Sequence, residues 1–427
     1  MRRLLFLFFL TVFYKAGFAQ TVEFYFPTLA GEEYLIYLNK GTQNDTVQKG
    51  VIAEGGRFTF TLPEENRDYA GIVNFVFSAG KQGFILNNET ISIKAANPYE
   101  NSLVFENSEE NDFLFKRMNE FKEVLQKTNA VYRIKEIFDE NNPLYQAAEH
   151  EIAQLETIYQ THRNELANSN LYAARYIELF HFLNGFISGI AMSEQEKQID
   201  AARFITGYLD MDVLYTSGFW NYVISSAFEL FPDKALFGQA MVKNLERTRS
   251  PKVFDALAND LVTICEQFDW PEAEDFIISY LVSSGRIQNA TGKLWAAMEM
   301  DKVKAGNKAI PIQGIKNLSN TLLIFYESDC GSCEEQLNEL VTHYSTLKEK
   351  KMQIVSIAAD RDEQIFEKRA ATFPWTDKLC DYKGFTGENF INYRIIGTPT
   401  IFIIDKKGYI TGRYARLQET GLINELK

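Results

Sequence analysis

Cys330 and Cys333, separated by Gly331 and Ser332, have the types and spacing for one defined chemistry. A thiolate attacks a disulfide sulfur, forms a mixed disulfide, and a second thiol then resolves it. A two-residue spacer keeps the two sulfurs within bonding distance. The attacking species is the thiolate, so the surroundings must stabilise an anion. Residues 322–326 form an apolar run that reads as a buried strand. From Cys333 onward, Leu337, Leu340, Val341, Tyr344 and Leu347 fall on one helical face over 333–348. The pair therefore stands where a strand gives way to a helix. There the free N–H groups and the positive end of the helix dipole favour negative charge.

Competing readings of the pair are weaker. A structural zinc site needs two further Cys or His ligands at matched spacing. None of His150, His162, His181 and His343 pairs locally with the cysteines. A purely structural disulfide is unusual in a strand–helix turn. The C-x-x-C spacing alone is a weak pattern, and a second element strengthens it. In Ile395-Ile396-Gly397-Thr398-Pro399-Thr400-Ile401-Phe402, a proline stands at the mouth of an apolar strand. Proline cannot donate a ladder hydrogen bond and avoids strand interiors. At a strand start it is either an ordinary initiator or a cis residue kept for a reason.

The flanking elements alternate. A second buried strand is expected over 352–358, a helix over 362–371, and a hairpin of 400–405 and 409–414 joined at Lys406-Lys407-Gly408. A short helix is expected over 419–427. That is an α/β pattern with a mixed sheet. Upstream the pattern differs. Residues 22–26, 34–38, 57–61, 72–77, 83–86 and 90–93 are short aromatic and β-branched runs broken by turn signals, as in a β-sandwich or barrel. From about 107 to 298 the period becomes 3.6, with helices expected over 171–190, 194–209, 219–231, 234–247, 251–266 and 271–284, among others. No repeat of fixed length is evident.

Composition bounds the rest. The chain has 427 residues, which predicts two or three domains. Met1-Arg2-Arg3, the apolar run 4–14 and the small residues Gly17 and Ala19 read as a secretory leader cleaved after Ala19. The run is short for ~30 Å of hydrocarbon, so a membrane anchor is the weaker reading. No Cys follows the cleavage point, which argues against a lipoprotein, and no later segment has the character of a membrane-spanning helix. Removing Arg2, Arg3 and Lys15 takes the net charge from −13 to −13 − 3 = −16. So acidic a chain is a poor partner for nucleic acid. Four cysteines are too few for a disulfide framework. Cys265 and Cys380 read as small buried hydrophobes, with a bond between them left open.

From about Ala305 to Lys427 the chain resembles thioredoxin-fold proteins of the exported TlpA/ResA-like group. The matching order is strand, C-x-x-C, helix, strand, helix, Gly-x-Pro-Thr, apolar strand, Asp405, Gly408 and a final strand. The residues before it resemble, more loosely, the β module and helical linker fused to such domains in cell-envelope proteins. The fold class expected is multidomain α+β: an antiparallel β-sandwich over 20–106, a helical region over 107–301, and a thioredoxin-like α/β domain over 302–427, after a leader over 1–19. The resemblance implies that Cys330 is the exposed nucleophile and Cys333 the buried resolving thiol of a redox-active disulfide. It implies that Thr398 and Pro399 form a cis-proline loop facing the sulfurs, where the Thr398 backbone pairs with the substrate chain. The partners implied are protein thiols and disulfides with an unidentified electron donor in the periplasm, and no cofactor or metal.

The chain departs from the family at three places. Asp329 replaces the Trp that many members carry before the first Cys, Ile324 fills the place of a buried acid, and Gln336 replaces a Glu. The usual proton acceptor is thus not identified, although Glu327, Glu334 and Glu335 lie nearby. A peroxidase of the peroxiredoxin type needs a Thr and a Pro before its Cys, and Tyr326-Glu327-Ser328-Asp329 supplies neither. A binding role is the other alternative, since the β and helical regions are most of the chain and carry no catalytic constellation of their own. The negative charges of Asp329, Glu334 and Glu335 oppose thiolate formation at Cys330. A nucleophile less acidic than in strongly oxidising members is therefore expected, which leans toward reductase or isomerase action. Titration of Cys330 is expected to give a pKa well above the ~3.5 of the strongest thiol oxidants, and a value near that figure would exclude this.

Overall fold

The computed structural model of the chain describes residues 20–78, 80–96 and 103–423. The leader expected over 1–19 and the last four residues of the helix expected over 419–427 lie outside the described residues. The chain divides into two compact units. One holds Met1–Ile277 with Arg286–Gln288, and the other Ile278–Gly285 with Asn289–Lys427.

The first unit opens with two four-stranded sheets. One has the order β4-β1-β7-β8, from Arg57–Thr61, Thr21–Tyr25, Thr90–Lys94 and Val104–Glu106. The other has the order β3-β2-β5-β6, from Gln43–Val51, Glu33–Lys40, Ala70–Phe77 and Gly80–Asn87. Alternating residues of both sheets, including Val22, Phe24, Ile36, Val73, Phe75 and Ile91, share one core. Phe24 stacks on Phe58 with ring centroids 4.4 Å apart. This is the β-sandwich expected, with one parallel pair, β1 with β7, in an otherwise antiparallel arrangement. Strand β3 carries the polar sequence Gln-Asn-Asp-Thr-Val-Gln-Lys-Gly-Val and has no apolar alternation to reveal it. It exists because β2 supplies a register of hydrogen-bonding partners along an edge.

Helices follow from Glu109–Ile137 onward. Ser108 caps the first, its side chain accepting from the Asn111 N–H at 3.3 Å, and Pro143 starts the second. The helix expected over 171–190 stops at Leu183, because Asn184 leaves helical geometry and Gly185 takes a positive φ of 74°.

The second unit is a five-stranded mixed sheet in the order β11-β10-β9-β12-β13, from Asp377–Cys380, Gln353–Ala358, Thr321–Tyr326, Thr400–Ile404 and Ile410–Tyr414. Strands β9, β10 and β11 run parallel, and β12 is antiparallel to β9 and β13. Every residue of β9 is buried, because both faces of the sheet are covered. Leu322, Ile324 and Tyr326 pack with Cys333, Leu337 and Leu340 on one face. Leu323 and Phe325 pack with Phe390, Tyr393 and Phe402 on the other. The helix expected over 333–348 is two pieces, Gly331–Thr342 and Tyr344–Glu349, meeting at His343. Strand β11 is short and polar, and it forms by pairing with β10 at an edge.

Phe325 is fully buried and its ring lies edge-on to Phe390 at 5.1 Å and to Phe402 at 6.2 Å. Phe325→Ala is expected to destabilise the second unit by about 3–5 kcal/mol in chemical denaturation, because it leaves a cavity in the layer beneath the sheet's central strand.

Candidate active site

Strand β9 ends at Tyr326, and four residues later Cys330 begins the helix Gly331–Thr342. Cys330 occupies the N-cap position, with φ −89° and ψ 118°. Its sulfur takes the place that a Ser or Asp oxygen takes in other helix caps, accepting the Cys333 N–H at 3.3 Å. The Ser332 hydroxyl lies 3.2 Å from the same sulfur. Cys330 is partly exposed and Cys333 is fully buried behind it. Both are thiols, the reduced form of such a pair.

The turn between strand and helix is held by Asp360, just beyond β10. Its carboxylate accepts from the Ser328 N–H at 3.0 Å and from the Ser328 hydroxyl at 2.5 Å. Neither Asp360 nor Ser328 is among the candidate site residues that the sequence offers. An acid at the C-terminal end of the apolar run 354–358 was the available signal, since that end of a parallel strand abuts the turn after its neighbour.

The Thr398-Pro399 bond is cis. The segment brings the Thr398 carbonyl to 3.9 Å from Cys330 Sγ. The Thr398 hydroxyl donates to Glu327 Oε1 at 2.7 Å. Cys330, Cys333, Thr398 and Pro399 are thus gathered at one place. Ile324 is buried core and cannot take a proton. Gln336 Oε1 accepts the Leu417 N–H at 2.7 Å and serves as a structural brace. Asp329, Glu334 and Glu335 are exposed, with Glu334 reaching Arg369 at 3.9 Å.

These contacts divide the two thiols. Partial burial pushes the Cys330 thiol up, but hydrogen bonds from the Cys333 side chain, Ser332, the Cys333 N–H and Thr398 outweigh it and bring it below the usual thiol value. The three flanking carboxylates are not among the largest influences. Burial, reinforced by the bond to Cys330, pushes Cys333 up to about 11. Cys265 is fully buried in the helix Pro251–Gln267. Cys380 is only half-buried, its thiol donating to the Asp360 carbonyl at 3.3 Å, and both are free. Among the described residues no group of three His, Cys, Asp or Glu gathers to hold a metal, and no helix is long and apolar enough to cross a membrane.

Residues 319–410 match a family model described as thioredoxin-like. This part of the second unit is a thioredoxin-like domain. Nucleoredoxin of Xenopus laevis is 31% identical over 93 residues, which are 21% of this chain and 22% of the relative. The chain thus spans about a fifth of the length of the curated relatives it matches. Among solved structures, a thioredoxin-like protein from Bacteroides caccae is 20% identical, with a TM-score of 0.30 and coverage of 54% of this chain and 93% of that one. A thiol-disulfide oxidoreductase from Bacteroides fragilis is 23% identical, with a TM-score of 0.20 and coverage of 24% and 77%.

The split between the thiols has a direct readout. In the reduced domain, alkylation of Cys330 is expected to rise with pH to a midpoint below the ordinary thiol value, and alkylation of Cys333 to remain negligible until near pH 11. Peptide mass mapping after timed alkylation across pH 6–11 distinguishes the two sites.

Proposed function

We propose that this chain is a thiol–disulfide oxidoreductase that exchanges disulfides with protein substrates through Cys330 and Cys333. One observation carries the reading. A partly exposed thiol caps a helix, a fully buried thiol sits one turn behind it, and the Thr398 carbonyl faces the exposed sulfur at 3.9 Å. In this reading Cys330 is the nucleophile and Cys333 the resolving thiol. Cys330 attacks a substrate disulfide, one substrate sulfur leaves as thiolate, and a mixed disulfide forms. Cys333 then attacks Cys330, the second substrate sulfur leaves, and the Cys330–Cys333 bond forms. Two electrons pass to the substrate, and an electron donor must later reduce the pair. The backbone beside Thr398 and Pro399 is the edge to which the substrate chain pairs.

The direction assigned is reduction or isomerisation. What supports this is the negative charge of Asp329, Glu334 and Glu335 near Cys330, which works against the strongly stabilised thiolate of an oxidant even though the hydrogen bonds to the sulfur weigh more and lower its pKa. The cell envelope is the location assigned, on the strength of Arg2, Arg3, the apolar run after them and the small residues at 17 and 19. The β module over 20–106 and the helical region over 107–301 are assigned the choice of partner.

Cys333→Ala is expected to leave covalent, reductant-sensitive adducts on Cys330 when the protein meets envelope proteins, and Cys330→Ser to leave none. Non-reducing electrophoresis with mass spectrometry identifies them. A Cys333→Ala protein that traps nothing, together with wild type inactive on every disulfide offered, favours a binding role instead.

A further inference from the structure

The segment that faces Cys330 is poorly held by packing. Ile395 and Thr400 are buried at its two ends. Between them Ile396 is 87% exposed, and a Cβ added at Gly397 would meet nothing within 4 Å. The Thr400 hydroxyl donates to the Gly397 carbonyl at 2.8 Å, which shapes the segment without tying it to a neighbour. Packing alone therefore leaves its distance from the thiols loose, and a directional bond has to set it.

We infer that Glu327 is a positioning residue of the site: it ties the turn before Cys330 to the Thr398-Pro399 segment and so sets the gap that a substrate chain must enter. The inference rests on the oxidoreductase reading and assigns within it what places the substrate before the nucleophile.

Three contacts close a ring. The Cys330 N–H donates to the Glu327 carbonyl at 3.3 Å, so the backbone of Glu327 holds the turn that carries the nucleophile. The Thr398 hydroxyl donates to Glu327 Oε1 at 2.7 Å, so the side chain of the same residue holds the segment. The ring closes where the Thr398 carbonyl stands 3.9 Å from Cys330 Sγ. The sheet makes this possible. Strand β9 pairs β12 with Thr400 opposite Phe325, and continued two residues further that register sets Thr398 opposite Glu327. A carboxylate acceptor also makes the bond stronger than a neutral one would be.

The other carboxylates near the turn do not span the gap. Asp360 holds Ser328 from the β10 side, with both oxygens on that residue. Asp329, Glu334 and Glu335 are exposed, and Glu334 reaches Arg369. Among the described residues, Glu327 is the carboxylate residue that bonds to both the turn and the segment.

The step served is the first attack. A substrate chain paired with the backbone at Thr398 brings its sulfur to Cys330 only if that backbone is in place. A displacement of about 1 Å at a reacting centre can cost on the order of a hundredfold in rate. A small disulfide without a peptide backbone makes no such pairing and does not depend on where the segment lies.

Two disulfides separate these cases on the full chain carrying Cys380→Ser. Insulin carries its disulfides on peptide backbone, and dithiothreitol serves as electron donor. Hydroxyethyl disulfide has no backbone to pair and no charge, so a charge change at 327 does not bias it. The quantity read is kcat/KM for insulin divided by the rate constant for hydroxyethyl disulfide. Glu327→Ala and Thr398→Val are each expected to lower this ratio at least about tenfold, chiefly through KM, since each removes a hydrogen bond to a charged group. The double variant is expected to be no lower than the worse single variant, because both changes remove the same bond. Glu327→Gln keeps an oxygen acceptor and Thr398→Ser keeps the hydroxyl, and both are expected to recover most of the ratio. Circular dichroism confirms folding, and the two truncations probe the bond from either side, so one suffices if the other does not fold. An unchanged ratio in the truncated variants, losses that multiply in the double variant, or a Thr398→Ser protein as low as Thr398→Val overturns the positioning role while leaving the oxidoreductase reading standing. A wild-type protein that exchanges with neither disulfide overturns the oxidoreductase reading, and the positioning role with it.

Discussion

The antiparallel pairing of β9 with β12 sets Thr400 opposite Phe325 and, beyond the strands, brings Thr398 beside Glu327. Nearly everything at the site depends on this register. A slip of one residue would turn Thr398 to the other face and carry the buried apolar residues of β12 out of their layers. The register is held because both faces of β9 are dry: Leu322, Ile324 and Tyr326 pack into one layer, and Leu323 and Phe325 into the other. The stability of the central strand and the placement of the site thus share one cause.

Helix capping works with that register. A helix start leaves N–H groups without partners, and here a sulfur supplies one of them, accepting from the Cys333 N–H. The hydrogen bonds that finish the helix are also hydrogen bonds to the anion that attacks. The Asp360 carboxylate fixes the intervening turn through Ser328, so the sulfur is placed by β10 as well as by β9. Burial pushes both thiols up, and they end on opposite sides of the usual thiol value because their partners differ. Cys330 has donors enough to offset its partial desolvation, whereas Cys333 is enclosed and also hydrogen-bonded to Cys330.

The first unit is built by the same rules without any comparable clustering of thiols. Its β-sandwich has an aromatic core around Phe24, Phe58 and Phe75, and its helices bury Cys265 as a small hydrophobe. The strands legible in the sequence were those with apolar alternation, such as β1, β2 and β5. The polar edge strands β3 and β11 were not legible, because their existence depends on a neighbour offering hydrogen bonds rather than on any pattern of their own. Helix ends were similarly obscured: Asn184 with Gly185 and the junction at His343 interrupt helices without a change of composition large enough to mark them.

By itself the sequence determined the strand–helix setting of Cys330 and Cys333, the order of the α/β elements, and the presence of a proline where a second loop meets them. These follow from periodicity and from residues a few positions apart, which local chemistry encodes directly. Only the tertiary structure decided that Thr398 bonds to Glu327, 71 residues away in the chain, that Asp360 clamps Ser328, and that Gln336 braces the Leu417 backbone. Glu327 was visible as one of several nearby acids, and nothing in its local sequence separated it from Glu334 and Glu335. What separates them is which carboxylate the sheet register sets beside a hydroxyl, and a register between distant segments is fixed by the packing of whole layers.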